Sequence, residues 1–297
     1  MKLKPSLRNL AKAGLLLKQT ILLLLLCAGC TSSTAPSFSI KDIPGAIQDI
    51  CKEEYKIDLV TRLVGQTLWI YIPVEDIFIP SDKPEKYTDK FEIVENSSKI
   101  VSGVVKVDYK IKAIPEQEKI QEFKYNKSVQ EKISNVWKVL RRVIFSLERS
   151  KGQEPKLYYI VTADIKNGIE MSELIYYQDL LKVSYELISW GEYSHRAISQ
   201  TNISDEVIGD KEGKHLKFRD IPMEEFITEQ IAQRIKLKFQ KPEVDKNADI
   251  DKEILKLVIN TIKIYGFKDF NGVDLYNFIT EDRTILNKAA VEASLIE

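Results

Sequence analysis

One short segment of the chain concentrates side chains that are able to do acid–base or metal chemistry. Residues 190–196 read Trp-Gly-Glu-Tyr-Ser-His-Arg, so Glu192 and His195 are three positions apart. On a helix this spacing places both on one face, where a carboxylate and an imidazole can bind a metal or transfer a proton. The structural alternative is a helix end, with His195 and Arg196 at the C-terminal dipole and Trp190 over the core edge. Trp190, Glu192, His195 and Arg196 are therefore candidates for a functional patch.

Other catalytic and metal-binding patterns are missing from the sequence. His195 and His215 are the two histidines, and neither belongs to a His-Glu-x-x-His zinc motif. There is no Gly-x-Ser-x-Gly nucleophile elbow and no Gly-x-x-x-x-Gly-Lys phosphate loop. Two of the three cysteines fall within the first 30 residues, which leaves Cys51 without a partner for a disulfide. Cys51 shares an apolar helix face with the isoleucines at 43, 47 and 50, which favours a small core hydrophobe over a reactive thiol. The sequence therefore predicts no catalytic residue, no metal and no noncovalent cofactor.

The first 29 residues have the three parts of a secretory signal peptide. Residues 1–18 carry five basic side chains and no acidic one, and residues 21–26 are an unbroken apolar run. Ala28 and Gly29 then precede Cys30. A basic region, an apolar core and small residues before a cleavage site are typical of exported proteins. The apolar stretch is about half as long as a membrane-spanning helix, so we predict that residues 1–29 are a signal peptide that is removed on export.

The four residues Cys27-Ala28-Gly29-Cys30 resemble the lipobox of bacterial lipoproteins, although Cys27 stands where that family prefers leucine. The resemblance covers residues 1–30 alone. It implies that Cys30 receives a diacylglycerol and an acyl chain, and two or more chains hold a protein durably on a membrane. It also implies a place in the bacterial cell envelope. By analogy with lipoprotein sorting, Thr31 after the cysteine favours the outer membrane, facing the periplasm, in a host with two membranes.

The rest of the chain is divided by composition. Residues 30–43 begin with small polar residues and are predicted to form a flexible tether. We expect an α+β domain over residues 44–240 and a helical C-terminal segment over residues 241–297. Residues 241–247 are the candidate boundary, and they are equally compatible with an ordinary loop inside one domain.

Hydrophobic periodicity predicts an α+β fold, with an antiparallel sheet and helices packed on one of its faces. Residues 105–111 alternate between apolar and charged side chains, as in a strand with one buried face. Residues 129–147 carry a helical stripe that follows a possible Ser128-x-x-Glu131 capping box. Further helices are predicted over residues 44–55, 173–189, 222–239, 250–265 and 282–295, and a hairpin over residues 57–72. Loops are predicted over residues 80–99, with one strand at residues 91–94, and over residues 198–214.

The net charge of the chain limits the classes of function that it is expected to have. The leader carries five of the 44 basic residues and none of the 44 acidic ones, so the remainder has a net charge of −5. This balance is not typical of nucleic-acid binding. We predict a lipid-anchored envelope protein with a noncatalytic binding or assembly role, whose partners are the membrane and another envelope protein. A small-ligand carrier or sensor and an anchored envelope hydrolase are the alternatives, which leaves enzymatic activity open.

Overall fold

The structure is a computed structural model, and it describes residues 38–147, 154–240 and 244–294. Cys30 and the predicted signal peptide lie outside these ranges. The helices are α1 (Ile43–Tyr55), α2 (Lys127–Phe145), α3 (Tyr177–Ser184), α4 (Trp190–Arg196), α5 (Met223–Gln240), α6 (Ile250–Tyr265) and α7 (Lys288–Ser294). The strands are β1 (Val60–Val64), β2 (Thr67–Val74), β3 (Phe78–Val101), β4 (Val104–Tyr125), β5 (Leu157–Asp164), β6 (Ile169–Tyr176), β7 (Ile198–Ile203), β8 (Gly272–Asn277) and β9 (Arg283–Asn287).

Two mostly antiparallel sheets and the helices around them confirm the predicted α+β class. The first sheet has the strand order β1-β2-β5-β6-β7, and the second has the order β3-β4-β8-β9. The β2–β5 and β4–β8 pairs are parallel, while the other pairs are antiparallel. Each parallel pair joins segments that are distant in sequence, because parallel neighbours need a long connection.

The first sheet is packed on both faces, whereas one packed face was expected. On one face, Leu68 and Ile70 of β2 join a core with α1, α2 and α3. On the other face, Trp69 of β2 joins a second core that includes Phe226 of α5. Consecutive residues of β2 are buried for this reason, since successive side chains of a strand point to opposite faces.

The second sheet has the packing that the sequence predicts for residues 105–111. Val105, Val107, Tyr109 and Ile111 of β4 are buried in the core that contains α5 and α6. The intervening side chains point away from this core. Helices therefore cover one face of this sheet near the turn that joins β3 to β4.

The predicted loop over residues 80–99 is wrong except for its strand at residues 91–94, because β3 runs through the whole segment. β3 pairs with β4 from Phe78↔Tyr125 to Val101↔Val104. Its 24 residues would span about 80 Å if fully extended. Register shifts between Pro80 and Glu85 interrupt the ladder beside the prolines, which lack an amide donor. Periodicity does not reveal this strand because much of it buries neither face.

Three other boundaries differ from the predictions. Residues 169–176, which overlap the predicted helix 173–189, form β6, and β7 lies in the predicted loop 198–214. The N-cap of α2 is Asn126, whose side chain accepts a hydrogen bond from the Ser128 amide at 3.0 Å, so the proposed capping box is not formed. In each case a long-range strand pairing or a neighbouring polar residue outweighs the local pattern.

The C-terminal segment contains the predicted helix 250–265, but the predicted helix 282–295 is wrong in its first part, because residues 283–287 form β9 and the helix begins at Lys288. α6 begins after Asp249, whose carboxylate accepts from the Lys252 amide at 3.0 Å, and ends at Gly266 with φ +57°. β8 then pairs with β4, and β9 pairs with β8. The second sheet is therefore built from both sides of residues 241–247. Among the helices in the described ranges, none combines the length and apolar character needed to cross a bilayer.

Candidate functional site

The candidate segment 190–196 forms a helix, α4, as the spacing of Glu192 and His195 requires. α4 begins after Ser189, whose hydroxyl accepts a hydrogen bond from the Glu192 amide at 3.0 Å. Tyr193 is buried in the core beneath the first sheet. Trp190 stands edge-on to the Tyr193 ring, with 5.7 Å between ring centroids, yet its side chain remains largely exposed. Trp190 therefore covers a core residue from the solvent side.

An ionic network links α4 to α3. The Arg196 guanidinium donates from Nε to Glu192 Oε1 at 2.8 Å and from Nη1 to Asp179 Oδ1 at 2.8 Å. Asp179 is 1% exposed, and Lys182 Nζ lies 3.6 Å from the same carboxylate oxygen. Burial opposes the charge of Arg196, but the two carboxylates outweigh it and raise the pKa of the guanidinium. Arg196 therefore supplies the charge that allows Asp179 to be buried.

The structure directs the Glu192 carboxylate to Arg196, one turn along the helix. His195 instead ties α4 to α5 through its backbone, because its carbonyl accepts a hydrogen bond from the Gln230 side chain at 2.9 Å. In the part of the chain that the structure describes, no three His, Cys, Asp or Glu side chains are grouped so as to hold a metal ion. The contacts of Glu192 and Arg196 are those of a helix brace. A catalytic role for Glu192 and His195 belongs to the hydrolase alternative, which these contacts do not test.

A second polar cluster surrounds His215, and spacing in the sequence does not reveal it. Asp210 Oδ2 lies 2.6 Å from His215 Nδ1, and Glu170 Oε2 of β6 lies 2.7 Å from Nε2. The Tyr71 hydroxyl donates to the Asp210 carbonyl at 2.5 Å. Gly213 has φ +67°, and a Cβ there would come within 3.0 Å of the Tyr71 ring, so glycine permits this close approach. The loop is thus held against the first sheet.

The His215 cluster is arranged as a clamp. Burial lowers the pKa of His215, but the hydrogen bonds to Glu170 and Asp210 outweigh it and raise the pKa. The contact with His215 also lowers the pKa of Asp210 against the opposing effect of burial. A general acid or base needs a ring nitrogen that faces the substrate, and carboxylates occupy both nitrogens here. This geometry favours a charged, structural histidine.

Cys51 is a core residue. It is fully buried on α1 with Ile43 and Ile47. Burial, together with the Glu54 carboxylate, raises the pKa of the Cys51 thiol to about 11. Because the thiolate is the reactive form, the folded protein suppresses the chemistry of this side chain. This agrees with the interpretation of Cys51 as a small hydrophobe.

The clefts of the described body are open to solvent. One, with a volume of about 440 Å³, lies between β4 and the start of α6 and is lined by residues such as Ile111, Ala248 and Ile279.

Neither protein-family models, nor curated proteins, nor solved structures provide a match to this chain. The function of this protein must therefore be inferred from its residues and their geometry.

Proposed function

We propose that this protein is an exported lipoprotein, anchored in the bacterial cell envelope through lipid on Cys30, which binds or assembles other envelope proteins without catalysis. The leader and the small residues before Cys30 support the anchor. The compact body begins at Phe38, eight residues after Cys30. With lipid on Cys30, the length of the intervening chain limits how far the folded body can lie from a membrane.

The observation that carries the binding role is a bare two-stranded ribbon. We define the ribbon as residues 82–87 of β3 and 117–123 of β4, all of which are exposed. The strands pair through Glu85↔Gln121, Lys86↔Ile120 and Tyr87↔Lys119. An isolated two-stranded hairpin is marginally stable in water, so a ribbon that buries neither face is poorly explained by the stability of this chain alone.

The ribbon has the properties of a protein-binding element. Tyr87, Ile120 and Phe123 are 49%, 54% and 54% exposed and rise from a surface of mixed charge. Its ion pairs, such as Lys86–Glu118 at 2.8 Å, lie at the surface and contribute little to stability. Strands with free backbone groups can pair with an extended segment of a partner, while exposed apolar side chains add specificity. The mixture of charges argues against a nucleic-acid partner.

The anchor is tested by metabolic labelling with radioactive palmitate. The wild-type protein should incorporate label and lose its leader, whereas Cys30→Ala should remain unlabelled and uncleaved. Cys27→Ala is the matched control and should still be labelled, because the residues before Cys27 are Leu25 and Leu26 rather than small ones. Continued labelling of Cys30→Ala would refute the anchor.

The binding role is tested by photo-crosslinking in cells. A photoreactive residue at Tyr87, Ile120 or Phe123 of the full chain should capture the same envelope protein reproducibly. Ile203 is the control position, because it is 82% exposed but lies at the end of β7 in the other sheet. Equal capture from Ile203, or no capture from the three ribbon positions, would refute the ribbon as the binding element.

A further inference from the structure

A second group of exposed apolar side chains lies beside the point where the chain enters the folded body. Phe145 at the end of α2 stands edge-on to Tyr185, with 5.2 Å between ring centroids. Tyr185, Leu187 and Trp190 follow one another along the connection from α3 to α4. The exposed fractions of Phe145, Tyr185, Leu187 and Trp190 are 38%, 56%, 72% and 62%. We call these four residues the aromatic patch.

The patch continues onto one stripe of α2. Trp137, Arg141 and Phe145 are four positions apart, which places them on one side of the helix over about 12 Å. The Trp137 ring contacts Tyr193, with 6.5 Å between the ring centroids. Burial raises the pKa of Tyr193, and Arg141 lies close enough to offset part of that rise. The patch is therefore an apolar and aromatic surface with an arginine within it.

The chain enters the body next to this patch. The Phe38 amide donates to the Ser146 carbonyl at 3.2 Å, and Phe38 pairs with Leu147. Ser146 and Leu147 are the two residues that follow Phe145. Phe38 is eight positions after Cys30, and a fully extended chain of that length spans at most about 29 Å. Lipid on Cys30 would therefore keep the membrane surface within that distance of Phe38, which lies beside the patch.

We infer that the aromatic patch rests on the lipid bilayer and fixes the orientation of the anchored body. This inference depends on the lipid anchor proposed above. Tryptophan and tyrosine are favoured at the membrane–water interface because their rings are amphipathic, and arginine is attracted to anionic headgroups. A tether also raises the effective concentration of a weak contact, so a small patch is sufficient. In this orientation the membrane holds the patch while other surfaces remain available to a partner.

Tryptophan fluorescence can test the contact. Trp69 is buried and Trp137 is half-buried, whereas Trp190 is exposed. The lipidated full-length protein is reconstituted into vesicles of phosphatidylcholine and phosphatidylglycerol, with or without bromine on the acyl chains. We expect brominated lipid to remove most of the Trp190 emission and to quench Trp190→Phe, which keeps Trp137 beside the patch, much less. Restoring a tryptophan by Phe145→Trp in the Trp190→Phe background should restore the quenching.

Ile203→Trp in the same background is the control. Ile203 pairs with Ile169 at the start of β6, about 24 Å along the strand from Tyr176, the last residue before α3. This tryptophan should not be quenched, and equal quenching would overturn the proposed orientation. Vesicle flotation separates the two proposals. If the protein floats but Trp190 is not quenched, the contact between the patch and the bilayer is refuted and the anchor stands. This result is expected where the patch binds a protein instead. A protein that does not float refutes both.

Discussion

The ion pair between Arg196 and Asp179 offers a quantitative test of the α4 brace. Arg196→Met keeps roughly the length of the side chain and removes its charge. Among the ion pairs of the described residues, the buried Asp179 carboxylate then keeps one cationic partner, Lys182, at 3.6 Å. Breaking a buried pair on one side costs about 3–5 kcal/mol. Because Lys182 compensates in part, we expect a loss of about 3 kcal/mol.

Urea and thermal unfolding of the purified protein measure this loss. A domain of this size shifts its midpoint by about 2–4 °C per kcal/mol, so the melting temperature should fall by about 6–12 °C. Arg142→Met is the matched control. Arg142 forms an equally short, bidentate pair with Glu54 at 2.8 and 3.0 Å, but the two side chains are 52% and 42% exposed. Its loss should be about 1 kcal/mol or less.

The double variant Asp179→Leu with Arg196→Met removes both charges together. Apolar pairs of similar volume often replace buried ion pairs without loss, so its stability should lie within about 1 kcal/mol of the wild type. Two results would contradict this expectation. One is a fall of less than about 1 kcal/mol in the unfolding free energy of Arg196→Met, and the other is a double variant that is less stable than Arg196→Met alone. Either result would mean that Asp179 does not depend on the charge of Arg196.

Three other predictions follow from the same structure. The raised pKa of His215 means that its clamp contributes fully below about pH 6.5 and is lost as the pH rises through the raised value. The difference in unfolding free energy between wild type and His215→Gln should therefore shrink between pH 6 and pH 9, and a constant difference would contradict the clamp. Cys51 in the native protein should resist a maleimide at pH 8 and react once urea unfolds the chain, as mass spectrometry can show. Glu192→Ala and His195→Ala should each complement a deletion strain; loss of complementation by both variants, with normal abundance, would favour the hydrolase alternative.

Elements with strong local signals were predictable from sequence. α6 has an apolar stripe, an aspartate cap and a terminal glycine, and the buried face of β4 follows from strict alternation. Helix caps and amphipathic faces depend on residues a few positions apart, so they are readable from the chain. The identification of Cys51 as a core residue has the same origin, since Ile43, Ile47 and Cys51 are four positions apart.

The missed elements depend on contacts between distant residues. The prediction of one helix over residues 173–189 followed Leu174, Leu181 and Ile188, but Leu174 belongs to β6, which pairs with β5 and β7. The ribbon has no buried face, so no periodicity marks it. A strand in either case is stabilised by backbone hydrogen bonds to another strand, which carry no signal in the local sequence.

The sequence by itself determined the prediction of export and lipid anchoring, and it determined most of the helices. The reason is that a leader, a lipobox-like motif and amphipathic stripes are contiguous patterns. The tertiary structure alone decided which polar residues meet. It joined Glu170 to His215 across 45 positions and turned Glu192 toward Arg196. It also brought Phe38 to the end of α2, beside the aromatic patch. Such encounters result from sheet pairing and core packing, in which many weak long-range contacts act together and no single spacing encodes the outcome.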